Sequence, residues 1–343
     1  MRLGVLTGGG DCPGLNAAIR AVVRKAEVGY DDEVIGFQDG WRGVLEDTFI
    51  PLDVTRCRGI LPRGGTILGT SRTNPFKVDD GVERVTATVE RHGLDAIVAI
   101  GGEGTLGAAS RLAALGLPIV AIPKTIDNDV GCTDVTIGFT TAVEVATEAI
   151  DRLHTTAESH DRVIVCEVMG RHVGWIALNA GLAAGAAVVL LPEEPFDVEA
   201  VCQHLTRRHT KGRYASIVVV AEGAKPRPGT LDLPPREVDQ YDHERLGGIG
   251  QHVADEIEAL SGFEARVTML GHVLRGGTPS GFDRILATRF GIAAVEAAHD
   301  RDFGAMVALH GVEIDRVPLA DAVLELKSVP RHLFHGVSKL FLD

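Results

Sequence analysis

Short, continuously apolar runs punctuate the chain at LGVL (residues 3–6), AIVAI (96–100), PIVAI (118–122), RVIVCEV (162–168), AAVVLL (186–191), SIVVVA (216–221), RVTML (266–270) and AMVAL (305–309). Between most of them, apolar residues recur at helical spacing, as in 16–27, 105–114, 140–156 and 243–260. Strands that are apolar on both faces and alternate with helices predict an α/β fold built from mostly parallel sheets, each covered by helices on both faces. In such sheets ligands collect beyond the carboxyl ends of strands. The loops at those ends read GGGD, GGEGT, PKTIDND, MGRHVG, EGAK and GHVLRGG, all rich in glycine and charge. Residues 225–236 carry four prolines and little periodicity, which predicts a surface excursion.

At 343 residues, with 45% hydrophobic content, the chain exceeds one ordinary core, so two domains are expected. The expected division is 1–128 with 261–305 and 129–260 with 306–343, the C-terminal segment crossing between them. The formal charge of -13 argues against nucleic acid or an anionic membrane as partner. An anionic small substrate therefore needs a local basic pocket. The five cysteines (12, 57, 132, 166, 202) show no metal or redox spacing, consistent with reduced thiols. The first residues enter a strand and a glycine turn at once, with no apolar leader, and no run approaches the ~20 residues of a membrane span. A cytoplasmic protein is expected.

The loop Thr7–Gly14 joins the first strand to a helix and lets backbone approach a phosphate. Pro13 breaks a dinucleotide fingerprint, and no segment matches a P-loop. In Gly101-Gly102-Glu103-Gly104-Thr105 a carboxylate beside bound phosphates requires a divalent metal between them, and magnesium fits. The alternative for Glu103 is favourable interaction with the helix dipole. Arg72, in a glycine-flanked loop, is a candidate bridge between phosphoryl oxygens or a solvent-facing arginine.

Asp127 and Asp129, read as i and i+2 of an extended segment, are expected to project to one side. Asp127 is the candidate base for a phosphoryl transfer to a hydroxyl, and Asp129 an assistant or an Asx-turn residue. Arg162 and Arg171 lie at opposite ends of one predicted strand, so Arg171 falls at the ligand end and Arg162 points to a neighbouring subunit or a surface ion pair. Arg266 repeats the pattern against His272 and Arg275. Glu222 is suited to sugar hydroxyls or to capping, and His272 with Arg275 to a phosphate monoester.

The segments GGGDCPGLN, GGTILGTSR, IGGEGT, PKTIDND, EVMGRHVGW, VAEG and MLGHVLRGG together resemble the phosphofructokinase family along nearly the whole chain. The resemblance implies a two-domain fold with the active site in the cleft between the domains, and transfer of a phosphoryl group to the 1-hydroxyl of fructose 6-phosphate in glycolysis. It implies ATP contacts at Gly10, Ser71, Arg72, Thr73, Gly102, Glu103, Gly104 and Thr105, with Glu103 on Mg2+. It implies sugar-phosphate contacts at Thr125, Ile126, Asp127, Met169, Gly170, Arg171, Glu222, His272, Val273, Leu274 and Arg275, with Asp127 as base. Catalysis would fall to Asp127, Arg171, Arg72 and Thr125. Arg162 and Arg266 would reach a neighbour's site in a homotetramer.

Gly104 resembles the ATP-using branch, because pyrophosphate-using relatives place an aspartate there; Lys124 resembles the pyrophosphate branch. ATP is the expected donor, since a carboxylate at 104 acts by exclusion. Glu103 departs from the aspartate common at the metal position. Ala21, His154 and Ala187 stand where bacterial relatives carry charged effector-binding groups, while Lys25, Lys211 and Arg213 keep part of that cluster. The alternatives are a pyrophosphate-dependent phosphofructokinase, another small-molecule kinase, or a non-catalytic sugar-phosphate or nucleotide-binding subunit.

Overall fold

A computed structural model describes residues 1–231, 233 and 246–341, with side chains as far as residue 336. The eight apolar runs are all strands. In chain order the strands are β1 (Arg2–Thr7), β2 (Glu33–Phe37), β3 (Phe49–Leu52), β4 (Ala96–Gly101), β5 (Ile119–Thr125), β6 (Ile137–Gly138), β7 (Val163–Val168), β8 (Val188–Leu190), β9 (Ser216–Ala221), β10 (Ala265–Met269), β11 (Ala305–His310) and β12 (Glu313–Pro318). The predicted helices appear as Leu15–Tyr30, Glu103–Ala114, Phe139–His160 and Ile249–Ser261. The expected start of the last, at 243, lies outside the described residues, as do 232 and 234–236 of the proline-rich stretch.

The chain forms two compact units. The first comprises Met1–Thr141 and Arg275–Lys327, the second Ala142–Leu274 and Ser328–Asp343. The first holds a sheet in the order β12-β11-β5-β4-β1-β2-β3, with β6 paired to β5, and the second a sheet in the order β10-β7-β9-β8. In the first sheet β1, β2, β4, β5 and β11 run parallel, whereas β3 and β12 are antiparallel at the two edges. The second sheet is parallel throughout.

This division corrects the expected one. Residues 261–274 belong to the second unit because β10 pairs with β7, and 306–327 to the first because β11 pairs with β5 at Met306 and Ala121 and carries β12 with it. Residues 129–141 also stay with the first unit, through β6 on β5.

Burial explains the strand pattern. β4 and β9 are buried at every position, as a strand with helices on both faces must be. β12 is mostly exposed and reads EIDRVP, so its charges and proline blunt a sheet edge that would otherwise pair with another chain. The first core gathers Leu6, Phe37, Trp41, Ile97, Leu106 and Ile119, among others; the second gathers Val165, Leu190, Val218, Val220, Val253 and Ile257.

Candidate active site

Within the first unit, the loops after β1, β4 and β5 are stitched to one another. Gly8 donates to the Ile100 carbonyl (3.0 Å) and Gly9 to that of Ser71 (2.9 Å), so both N–H groups serve the scaffold. Thr70 Oγ1 returns to the Gly9 carbonyl at 2.5 Å, and Ser71 Oγ donates to Asp39 at 2.6 Å. Thr105, buried, packs so closely that a β-carbon on Gly8 would stand 2.5 Å from its Oγ1 and one on Gly101 2.4 Å from its Cβ. Only glycine fits at either position. Gly102 precedes the helix Glu103–Ala114, whose first residues, Glu103 and Gly104, are exposed. A β-carbon on Gly104 would meet nothing within 4 Å. Among the described residues no group of three or more His, Cys, Asp or Glu is arranged to hold a metal ion. The carboxylate of Glu103, exposed at the helix start, is an oxygen donor of the kind a hard cation shared with a ligand's phosphates takes.

Lys124 ends inside this scaffold. It is 2% exposed, and its Nζ donates to the carbonyls of Gly8 (3.1 Å) and Gly10 (2.5 Å). Burial lowers its pKa, Arg275 lowers it further, and Cys12, Asp11 and Asp127 oppose the shift. The Arg275 guanidinium lies against the same loop: a β-carbon on Gly10 would fall 1.2 Å from its Nη2. Arg275 thus borders Gly10 of the first loop, a placement the spacing to His272 does not reveal.

After β5 the chain does not stay extended. Ile126 and Asp127 form a turn and Asn128 takes a left-handed φ of 55°, so the expected same-side projection of Asp127 and Asp129 is corrected. Asp127 is among the charges that act on Lys124, and Asp129, with Asp134, among those that act on Lys327. The Asp127 N–H donates to Thr125 Oγ1 at 3.1 Å. Asn128 fastens the turn, its Oδ1 accepting from the Thr136 N–H at 3.0 Å, and Thr136 Oγ1 donates to the Thr125 carbonyl at 2.7 Å. Ile126 is buried, leaving its backbone for contact.

Asp283, invisible as a site residue in the sequence, anchors this region. Fully buried, it accepts from the N–H groups of Gly138 (2.9 Å) and Thr141 (2.8 Å) and from Thr141 Oγ1 (2.5 Å). It thereby caps the helix Phe139–His160 from the first turn of the helix Gly281–His299. The available signal was the Ser280-x-x-Asp283 capping pattern, and Ser280 Oγ does accept from the Asp283 N–H. Lys25, kept from the expected effector cluster, is paired with Glu296 at 2.7 Å.

In the second unit Met169-Gly170-Arg171 follows β7. Arg171 adopts φ 51° and Gly170 φ 153°. Glu222, after β9, holds this loop: its Oε1 accepts from the N–H groups of Gly170 (3.3 Å) and Arg171 (3.0 Å). A β-carbon on Gly223 would stand 1.8 Å from the Arg171 carbonyl oxygen, which makes glycine obligatory there. His272 and Val273 are exposed on a short 3-10 helix, Gly271–Arg275, and Leu274 is fully buried. Arg162 and Arg266 stand at the opposite, starting ends of β7 and β10, as their positions in the strands predicted. All five cysteines are unpaired, and burial pushes the Cys12 thiol up to about 12.

Among the described residues no helix is long and apolar enough to cross a membrane. A family model described as Phosphofructokinase matches residues 2–298. The chain is 60% identical to the pyrophosphate–fructose 6-phosphate 1-phosphotransferase of Streptomyces coelicolor, over 99% of this chain and 100% of that one. It is 59% identical to ATP-dependent 6-phosphofructokinase 3 of the same organism, over 96% and 97%. Among solved structures, phosphofructokinase from Saccharomyces cerevisiae superposes with a TM-score of 0.82 at 32% identity; the match covers all of this chain and 47% of the yeast chain.

Proposed function

We propose, from the premise that the chain belongs to the phosphofructokinase family, that its phosphoryl donor is ATP and its acceptor the 1-hydroxyl of fructose 6-phosphate, giving fructose 1,6-bisphosphate and ADP. The observation that carries the choice of donor is the open space at Gly104, on the exposed first turn of a helix. A nucleotide is longer than pyrophosphate and needs that space beyond its β-phosphate. Lys124, the feature that favours pyrophosphate, spends two of its three donors on the carbonyls of Gly8 and Gly10, which supports a scaffold role for it. The second reading, pyrophosphate as donor, draws on Lys124 and on the 60% identity to a pyrophosphate-using relative.

In this reading Asp127 accepts the proton of the 1-hydroxyl. Its own N–H is tied to Thr125 Oγ1, which leaves the Thr125 hydroxyl proton to donate outward. Arg72 and Arg171 stabilise the charge spread over the transferring group, whose transition state asks for positioning and electrostatics more than covalent chemistry. Ser71, Thr73, Gly102 and Thr105 shape the donor loop with Gly10. Glu103 would hold Mg2+, which when bound neutralises phosphate charge. Met169, Gly170, Glu222, His272 and Arg275 serve the sugar phosphate, Arg275 lying against Gly10 of the first loop as well, and Arg162 and Arg266 are contributed by a neighbouring subunit of a tetramer in the cytoplasm.

The test is formation of fructose 1,6-bisphosphate from ATP and fructose 6-phosphate by the purified chain, with and without Mg2+. Product only with the metal is expected. Absence of product under both conditions contradicts the proposal.

A further inference from the structure

The starting ends of β7 and β10 hold an unusual arrangement of charge. The strands are adjacent and parallel, with Ala265 opposite Val163 and Arg266 opposite Ile164. Arg162 and Glu264, the residues just before each strand, therefore face each other, and the Val163 N–H bonds to the Glu264 carbonyl at 3.0 Å. The two oxygens of one carboxylate serve two arginines: Glu264 Oε2 lies 2.8 Å from Arg162 Nε, while Oε1 contacts Arg266 Nη2. Arg266 has further anchors, Glu258 Oε1 at 3.4 Å and the Ala265 carbonyl at 2.8 Å. All three charged groups are partly exposed, with side-chain exposures of 30%, 43% and 55% for Arg162, Glu264 and Arg266.

Guanidiniums that pair with a carboxylate's oxygens pair equally with those of a phosphate monoester. We propose that Glu264 is a built-in competitor for the sugar phosphate: it holds Arg162 and Arg266 as a pair, and must release Arg162 before that pair takes the phosphate dianion. This rests on the reading that the two arginines serve the acceptor's phosphate. The exchange is feasible because an exposed ion pair is weak and screened. The incoming group carries about two negative charges against the carboxylate's one, and Arg266 remains anchored on Glu258 and the Ala265 carbonyl when the exchange occurs. Glu264 thus raises the sugar-phosphate concentration needed for half-saturation.

The sugar-phosphate dependence of the rate should be compared in the intact protein and in Glu264→Gln, Glu264→Ala, Arg162→Ala, Arg266→Ala and the double variant Glu264→Gln with Arg162→Ala. Removing one exposed negative charge near a bound dianion should lower the fructose 6-phosphate KM about threefold to tenfold at low salt, with a smaller gain at high salt. The change should be carried by that KM rather than by kcat or the donor KM, and it should vanish in the double variant. Both Glu264 variants must move in the same direction. An unchanged or raised KM in them, with Arg162→Ala still weakening sugar-phosphate use, overturns the competitor role and leaves the arginine reading standing. If Arg162→Ala and Arg266→Ala both leave the sugar-phosphate KM unchanged, the underlying reading fails and the proposal with it.

Discussion

Replacing Gly104 with aspartate separates the stability of the first unit from its choice of donor. The new β-carbon meets no atom within 4 Å, and Gly104 is not among the glycines with positive φ, so the backbone accepts the side chain without strain. An acidic residue in the first turn of the helix Glu103–Ala114 gains roughly 0.3–1 kcal/mol from the helix dipole, so the melting temperature should hold or rise. The same carboxylate opposes a nucleotide phosphate. At a separation of roughly 5 Å the repulsion of two unit charges is about 1–3 kcal/mol for effective dielectric constants between water's and that of a protein surface. This corresponds to a loss of about fivefold to 150-fold in kcat/KM for ATP, and the exposure of position 104 favours the lower part of that range. The assay is initial-rate kinetics with varied ATP at saturating fructose 6-phosphate, beside a thermal melt of each protein. A variant that melts normally and keeps kcat/KM for ATP within twofold of the parent refutes the reasoning about space and charge at Gly104.

Changing Asp127→Ser should lower kcat by about 10²–10⁴ with the fructose 6-phosphate KM changed only severalfold, measured at saturating donor; near-normal turnover removes Asp127 as base. Lys327 supplies a test by pH. Burial lowers its pKa from 10.5 to about 8, against the pull of Asp134 and Asp129, while its Nζ donates to the carbonyls of Thr133 (2.8 Å) and Asp134 (2.6 Å). Between those two pKa values the unfolded chain keeps a proton that the folded chain has lost, so stability rises with pH across the window and the charged lysine costs stability below it. Relative to Lys327→Gln, the native chain should gain up to about 3 kcal/mol of unfolding free energy between pH 7.5 and 10, read from urea titrations. Parallel pH profiles for the two proteins contradict this.

Much of the architecture is legible in the chain because a parallel strand buried on both faces leaves a run such as AIVAI or SIVVVA that no exposed element needs. The strands without that signature were not legible. β2, EVIGF, has its apolar run broken by Gly36, β3, FIPL, is four residues with a proline inside, and β12, EIDRVP, is an exposed edge whose polarity reads as loop. Domain membership is hidden in the sequence where it depends on pairing over long sequence separation, as for β10 with β7 and β11 with β5. At the candidate site, the loops at strand ends were visible from glycine and charge. The turn at Ile126–Asp127 was not, since it depends on Asn128 in a left-handed conformation and on bonds from Thr136. Nor was the fastening of Gly170 and Arg171 by Glu222, or the position of Arg275 over Gly10, because neither follows from spacing along the chain.

The central claim is the identity of the donor, and kcat/KM for ATP and for pyrophosphate, each with fructose 6-phosphate and Mg2+, tests it most directly. The account predicts a value for ATP at least about 100-fold above that for pyrophosphate, a gap of about 2.7 kcal/mol in transition-state stabilisation. Turnover with pyrophosphate alone would contradict it, and would make Lys124 rather than Gly104 the residue that reports the donor.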